Sequence, residues 1–349
     1  MATIFLVAHD RAPTAAFELL RERFAKEGHV VLDALLDGDA SRMPHEGALE
    51  SGIENADIVI VGMSTPEKNA DVELRAASRA NALGKPFGFY ADAHGVFTRR
   101  HFATFGESAS FLFVVNESEL KRAKRLFPVA GNLGNIFPTG NPVWAEYFQP
   151  ADKGLARTLL GSRGEEEFIV LFPGDKNGAY NVTTLGAVIE SVAMMEGNFH
   201  RAVIFAPHPR DPTPHCVYEE IIALGNKLAV RVAISGEKTD EILVGANVVV
   251  NGVSVQVNAF AKGVPVIEYY SPLGQAFNES EMGSTRRAFA DSGALIPIYS
   301  GIPSELADAF GNVRRSPLHL QEAQRRVMPV AKQEEVLDRM MRAVRKILG

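Results

Sequence analysis

Short apolar runs recur along the whole chain, each followed by a stretch with helical spacing, and no other feature restricts its fold as tightly. In the first half, runs at 3–8, 57–61, 86–90 and 111–115 alternate with helical stretches at 13–27, 71–83 and 118–126. The pattern restarts at 168–172. Runs at 202–206, 229–234, 247–250 and 264–269 follow, with helices predicted from 178 to about 195, over 217–225 and over 255–262. Parallel strands need a crossover, and a helix is the usual one, so this alternation predicts βαβ units and parallel sheets. A length of 349 residues suits two such domains, predicted at 1–150 and 151–330 with a closing helix at 331–349. Residues 150–166, with Gly154, Gly161, Ser162 and Gly164 among charges, read as a linker.

The halves echo one another. Gly84-Lys85-Pro86 and Gly263-Val264-Pro265 each lead into an apolar run, with the glycine ending a helix and the proline setting the turn. Related halves are therefore expected. At the tail, Val336, Leu337, Met340, Met341, Val344 and Leu348 form an apolar stripe at helical spacing, opposite Arg339, Arg342, Arg345 and Lys346.

Lys and Arg number 36 against 42 Asp and Glu, a net charge of -6, which argues against a nucleic-acid-coating protein. The single cysteine, Cys216, excludes an internal disulfide and a cysteine-based zinc cage, and favours a reducing compartment. Apolar runs such as 56–63 fall far short of the ~20 residues of a membrane span, and the first nine residues have no basic region of a signal peptide. A soluble, cytoplasmic protein is the expectation.

Open parallel sheets bind ligands beyond the carboxyl ends of their strands, so residues just after each apolar run are the candidates. In the first half these are His9 and Asp10, then Asp92 and His94, followed by Arg99, Arg100 and His101. A histidine beside a carboxylate can act as a base near neutral pH, and arginine can hold phosphate or carboxylate bidentately. A solvated loop whose Asp92 caps the next helix is the plainer reading. In the second half, Gly174, Asp175, Lys176, Asn177 and Gly178 join a strand to a helix start, where glycines and free N–H groups suit an anion. His208 lies between Pro207 and Pro209, which stiffen its loop, and Arg210 follows. A metal at His208, His215 and Cys216 is disfavoured because the prolines prevent a regular ligand spacing. Gly252 and Ser254 open a helix that continues through Gln256 and Asn258. Ser254 suits phosphate, or simple N-capping.

Taken in order, these segments resemble the GT-B glycosyltransferase superfamily, near the non-hydrolysing UDP-N-acetylglucosamine 2-epimerases and the CDP-glycerol glycerophosphotransferases. Thr139-Gly140-Asn141-Pro142 looks like the TGNP element that closes the first domain. Pro207-His208-Pro209-Arg210-Asp211-Pro212 looks like the HPRDP loop, and residues 251–265 are similar to the donor-contacting helix. The resemblance implies two Rossmann-like domains facing a cleft, with the nucleotide held mainly by the second. His208 would lie beside the nucleotide, and residues 174–178 with Gly252 and Ser254 would cradle its diphosphate. His94 or Asp92, and after them His9 or Asp10, would supply the acid or base. By spacing from Pro265, Asn258 stands where many relatives carry an acid for the ribose, so the charge-assisted part of that bond is lost.

The function expected is transfer of a sugar or related group from a nucleotide-activated donor to an acceptor hydroxyl, without metal or cofactor. The alternatives are a sugar-nucleotide 2-epimerase and a non-catalytic nucleotide-sugar-binding protein. The partners expected are the donor, an acceptor of unassigned class and a second copy of the chain in a homodimer.

Overall fold

The computed structural model describes residues 1–65, 67–251, 253–282, 289–328 and 331–349, with only the backbone at 253, 254, 281 and 282. The chain forms two compact units. The first is Met1–Glu146 joined by residues 279–282 and by Ala331–Gly349, and the second is Tyr147–Asn278 with residues 289–328.

The first unit holds six parallel strands, β1 (Thr3–Ala8), β2 (Val30–Leu35), β3 (Ile58–Val61), β4 (Phe87–Tyr90), β5 (Phe111–Val114) and β6 (Ile136–Pro138). Their spatial order is β2-β1-β3-β4-β5-β6. Alternate residues feed opposite faces, as a period of two requires. Phe5, Val7, Val59, Val61, Phe87 and Phe89 pack in one core, and Ile4, Leu6, Ile58, Ile60, Tyr90 and Phe111 in the other. The second core is completed by the tail. The helix Gln333–Leu348 packs Val336, Leu337, Met340, Met341 and Val344 against Phe17, Leu20 and Phe24.

The second unit holds β7 (Phe168–Pro173), β8 (Arg201–Ala206), β9 (Arg231–Ile234), β10 (Val248–Val250), β11 (Val266–Tyr269) and β12 (Ile296–Ile298). These are also parallel, in the order β12-β11-β10-β7-β8-β9. The two strand orders differ, although the echoed turns match closely. Gly84 and Gly263 sit at φ of 64° and 67°, where glycine has no Cβ penalty. Lys85 N–H reaches the Ala80 carbonyl at 2.9 Å and Val264 N–H the Ala259 carbonyl at 2.8 Å, the same helix-ending bond in both halves.

Residues 150–166 are not a loose linker. Lys153–Leu159 is a helix capped by Asp152, and Arg157 binds it to the second unit. The Arg157 guanidinium donates to the carbonyls of Gly245, Gly164 and Glu167 at 2.8–3.1 Å. One long, multiply bonded cation outweighs the chain freedom that glycine and charge suggest.

Candidate functional site

A sheet whose strand order reverses about a central strand opens a crevice at the carboxyl ends there. In the first unit the reversal falls between β1 and β3. The loop after β3 therefore faces His9 and Asp10. Asp10 N–H donates to Ser64 Oγ at 2.9 Å, and the Asp10 carboxylate accepts the Thr65 N–H at 3.1 Å. Asp10 precedes the helix Arg11–Lys26 but makes no side-chain cap bond there. Its other oxygen lies 3.3 Å from His9 Nδ1.

Behind this loop Glu73 is fully buried. It accepts from Ser64 Oγ at 2.7 Å, from Ser64 N–H at 3.3 Å and from His9 N–H at 3.3 Å. Burial pushes its carboxyl up to about 8, against the pull of these bonds. Gly62 leaves the room it needs, since a Cβ there would lie 2.6 Å from Glu73 Oε1.

Asp92 follows β4 on the same edge and is half-buried. Burial raises its carboxyl to about 6, with Arg99 pulling it down and Asp10 pushing it up. Its carbonyl accepts from Asn141 Nδ2 at 2.8 Å, so the Thr-Gly-Asn-Pro turn steadies the loop. Arg99 also donates to the Met63 carbonyl, and His101 Nε2 lies 3.0 Å from the Ser64 carbonyl. Asp10, Arg99 and His101 thus converge on the segment 63–65, with Asp92 close enough to feel the charges of Arg99 and Asp10.

His94 stands apart from them. It is buried, stacked on Trp144 with ring centroids 5.8 Å apart, and its Nε2 accepts from Asn116 Nδ2 at 2.7 Å. Burial depresses its pKa to about 3, so the ring stays neutral. Glu119 lies under the same loop, accepts the Gly95 N–H at 2.6 Å, and is raised to about 7 by burial. Ser64, Glu73, Asn116 and Glu119 are absent from the sequence-based candidates. The loop Gly62-Met63-Ser64-Thr65 was open to the same strand-end argument, whereas Glu73 carries no local signal on its helix.

In the second unit the strand order reverses between β7 and β10. Gly174 N–H donates to the Ala206 carbonyl at 2.8 Å, tying the loop after β7 to that after β8. Asn181 strengthens the tie, receiving the Asp175 N–H at 2.8 Å and donating to Asp211 Oδ2 at 2.7 Å. Asp211 also receives the Tyr218 hydroxyl and the Thr213 N–H. Asn177 caps the helix Gly178–Met194 by accepting the Tyr180 N–H at 3.1 Å. A Cβ on Gly178 would lie 2.0 Å from Thr213 Oγ1, so this position needs glycine for close approach. His208 Nδ1 accepts the Arg210 N–H at 3.0 Å, which leaves the proton on Nε2 as a donor. Lys176 and Arg210 are exposed beside it.

Gly252 lies outside the described residues, as does the side chain of Ser254. Asn251 adopts φ of 62° and donates to Tyr180 Oη at 2.5 Å and to the Tyr269 carbonyl at 2.8 Å. Gln256 and Asn258 are buried. Gln256 Nε2 lies 3.4 Å from Glu268 Oε1, and Asn258 Nδ2 donates to Asp240 Oδ1 at 2.5 Å. Both amides therefore make bonds within the unit. Asn258→Asp would set a second carboxylate against Asp240, and a loss of about 1–3 kcal/mol is expected, read as a lower midpoint of urea unfolding. An unchanged midpoint would remove the donor role given to Asn258.

No protein-family model matches the sequence, and no curated protein matches it. Solved structures do. Staphylococcus aureus MnaA bound to UDP shares 14% identity at a TM-score of 0.66, covering 100% of this chain and 97% of that one. Anabaena HepE in complex with UDP shares 13% at 0.60, covering 99% and 100%. The Methanocaldococcus jannaschii UDP-GlcNAc 2-epimerase, in complex with UDP-GlcNAc and UDP, shares 15% at 0.57, covering 99% of each. At such identities the likeness is one of fold, and it is the GT-B type that the sequence resembles.

Proposed function

We propose that the chain is a sugar-nucleotide enzyme that transfers a sugar from a nucleoside-diphosphate donor to an acceptor hydroxyl, with Asp92 as general base. The observation that carries this reading is Asp92 itself. It is a half-buried carboxyl at a strand end, raised to about 6, so it is ionised at neutral pH yet basic enough to take a proton. His94, the first choice on sequence grounds, is a poor base because burial holds its pKa at about 3. Asp10, close enough to raise Asp92, and His9 beside Asp10 are the secondary groups.

The second unit would bind the donor. Lys176, Arg210 and the N-terminus of the helix Gly178–Met194 offer positive charge to a diphosphate, and His208 Nε2–H and Asn177 offer donors. Gly174 and Gly178 let the loops after β7 and β8 pack closely together, since a Cβ at either would strike Phe205 or Thr213. Gly252 and Ser254 stay in the proposal on sequence grounds. Gln256 and Asn258 would act from beneath, through Glu268 and Asp240. Solved structures of the same fold hold UDP or UDP-GlcNAc, which supports a uridine nucleotide as the first donor to try.

The test is release of UDP from a panel of UDP-sugars with hydroxyl acceptors, followed across pH. Activity should rise as pH climbs through about 6, because the base must lose its proton. His208→Ala should weaken UDP binding about tenfold, the size of one or two lost hydrogen bonds. Unaltered UDP affinity in that variant, or a flat pH profile, would sink the assignment.

A second reading is favoured by Asp10, a second carboxyl close enough to raise Asp92. Epimerisation at a sugar carbon needs two acid/base groups, and this pair supplies them. UDP-GlcNAc incubated alone in heavy water would then gain deuterium at C2. Its absence, with acceptor-dependent UDP release, favours transfer.

A further inference from the structure

A cavity of about 420 Å³ lies in the second unit, away from every residue discussed as a donor contact. Phe168 opens β7, Asn247 precedes β10 and Pro265 precedes β11, so the cavity sits at the amino ends of these strands. A six-residue strand is about 20 Å long, which separates the cavity from the carboxyl edge where the nucleotide is proposed.

Its charge is one-sided. Lys153, Lys262 and Arg314 line it, and no lining residue is acidic. None of the three makes a salt bridge among the described residues. Lys262 Nζ donates to the Gln149 carbonyl, with Asp240 acting on it only through space. The Arg314 guanidinium is held 3.9 Å over the Phe199 ring. Lys262 and Arg314 each fall in the last turn of a helix, where a cation complements the dipole. That explains their sign but not their meeting with Lys153, from a different helix, around one hollow. In a chain of net charge -6, three cations and no acidic residue lining one concave site give it a positive potential that draws an anion.

We propose that this cavity is a second ligand site, taking a phosphate group carried by a small metabolite. Lys153 and Lys262 supply point charges, and Arg314 a planar fork suited to two phosphate oxygens. Gln321 also lines the cavity, its amide donating to the Gly263 carbonyl at 2.8 Å. The volume suits a phosphorylated triose or hexose. The proposal does not depend on the reaction at the opposite edge.

The test is calorimetric titration of the full-length protein with inorganic phosphate and, separately, glycerol 3-phosphate. Lys153 and Arg314 are exposed, so the double variant Lys153→Gln with Arg314→Gln should fold normally, as its circular dichroism would report. It should weaken both ligands about tenfold or more, while His208→Ala leaves them unchanged. Lys262→Met repeats the test from the third cation. Tighter binding of glycerol 3-phosphate identifies an organic phosphate, and equal binding identifies free phosphate as the ligand of the same site. No binding to the wild type at millimolar concentration would overturn the proposal. So would binding that His208→Ala abolishes and the double variant retains.

Discussion

Asp92→Asn should lower sugar transfer on the order of 10³-fold, the usual worth of a positioned base, with little change in UDP affinity. Asparagine keeps the shape and the backbone carbonyl that Asn141 grips, so the fold should hold. The loss should fall on kcat, because the carboxylate acts only as the acceptor proton moves. Arg99→Gln is the companion measurement. Arg99 stabilises the Asp92 carboxylate, so its removal should move the rising limb of the pH profile upward from about 6. Full turnover in Asp92→Asn would transfer the role to Asp10, and an unmoved limb in Arg99→Gln would show that Asp92 does not set the profile.

Stability should fall as pH rises from 6.5 to 8. Glu73 binds its proton more tightly folded, at about 8, than unfolded, near 4.5. The folded state therefore holds the extra proton between these values, and stability is lost as pH rises through them. Glu119, raised to about 7, acts in the same direction. His94 opposes both below 6.5, because its folded pKa of about 3 lies under its ordinary 6.5 and stability grows as pH rises between the two. Above 6.5 that opposition ends. Glu73→Gln, always neutral, should flatten the fall by about 1.5–2 kcal/mol between pH 6.5 and 8, the worth of one proton over that span, read from melting temperatures. Parallel curves for the two proteins would mean that Glu73 is ionised in the fold and that its three donors outweigh burial.

The cores and much of the sheet framework were legible because their signals are local. A run such as Phe168–Pro173 is buried at every residue, and the glycine-proline turns at 84–86 and 263–265 declare where helices stop. Strands escaped where that signal is diluted by an edge. β12 holds a central proline, which an edge strand tolerates, and β2 leaves Val30 exposed and carries Asp33. The helix Pro303–Arg315, with its polar outer face, escaped too.

The candidate site divides along the same line. Sequence by itself determined two parallel α/β sheets and marked Asp10, Asp92, Gly174 and His208 as strand-end residues, because hydrophobic period and turn chemistry act over a few residues. Only the tertiary structure decided what those residues can do. It buried His94 against Trp144 until it could not take a proton, left Asp92 between Arg99 and Asp10, and put Glu73 behind both His9 and Ser64. It also drew Lys153, Lys262 and Arg314 around one cavity from a stretch of chain about 160 residues long. Burial and Coulomb interaction depend on distance in space, and chain spacing does not encode that distance until the sheets are formed.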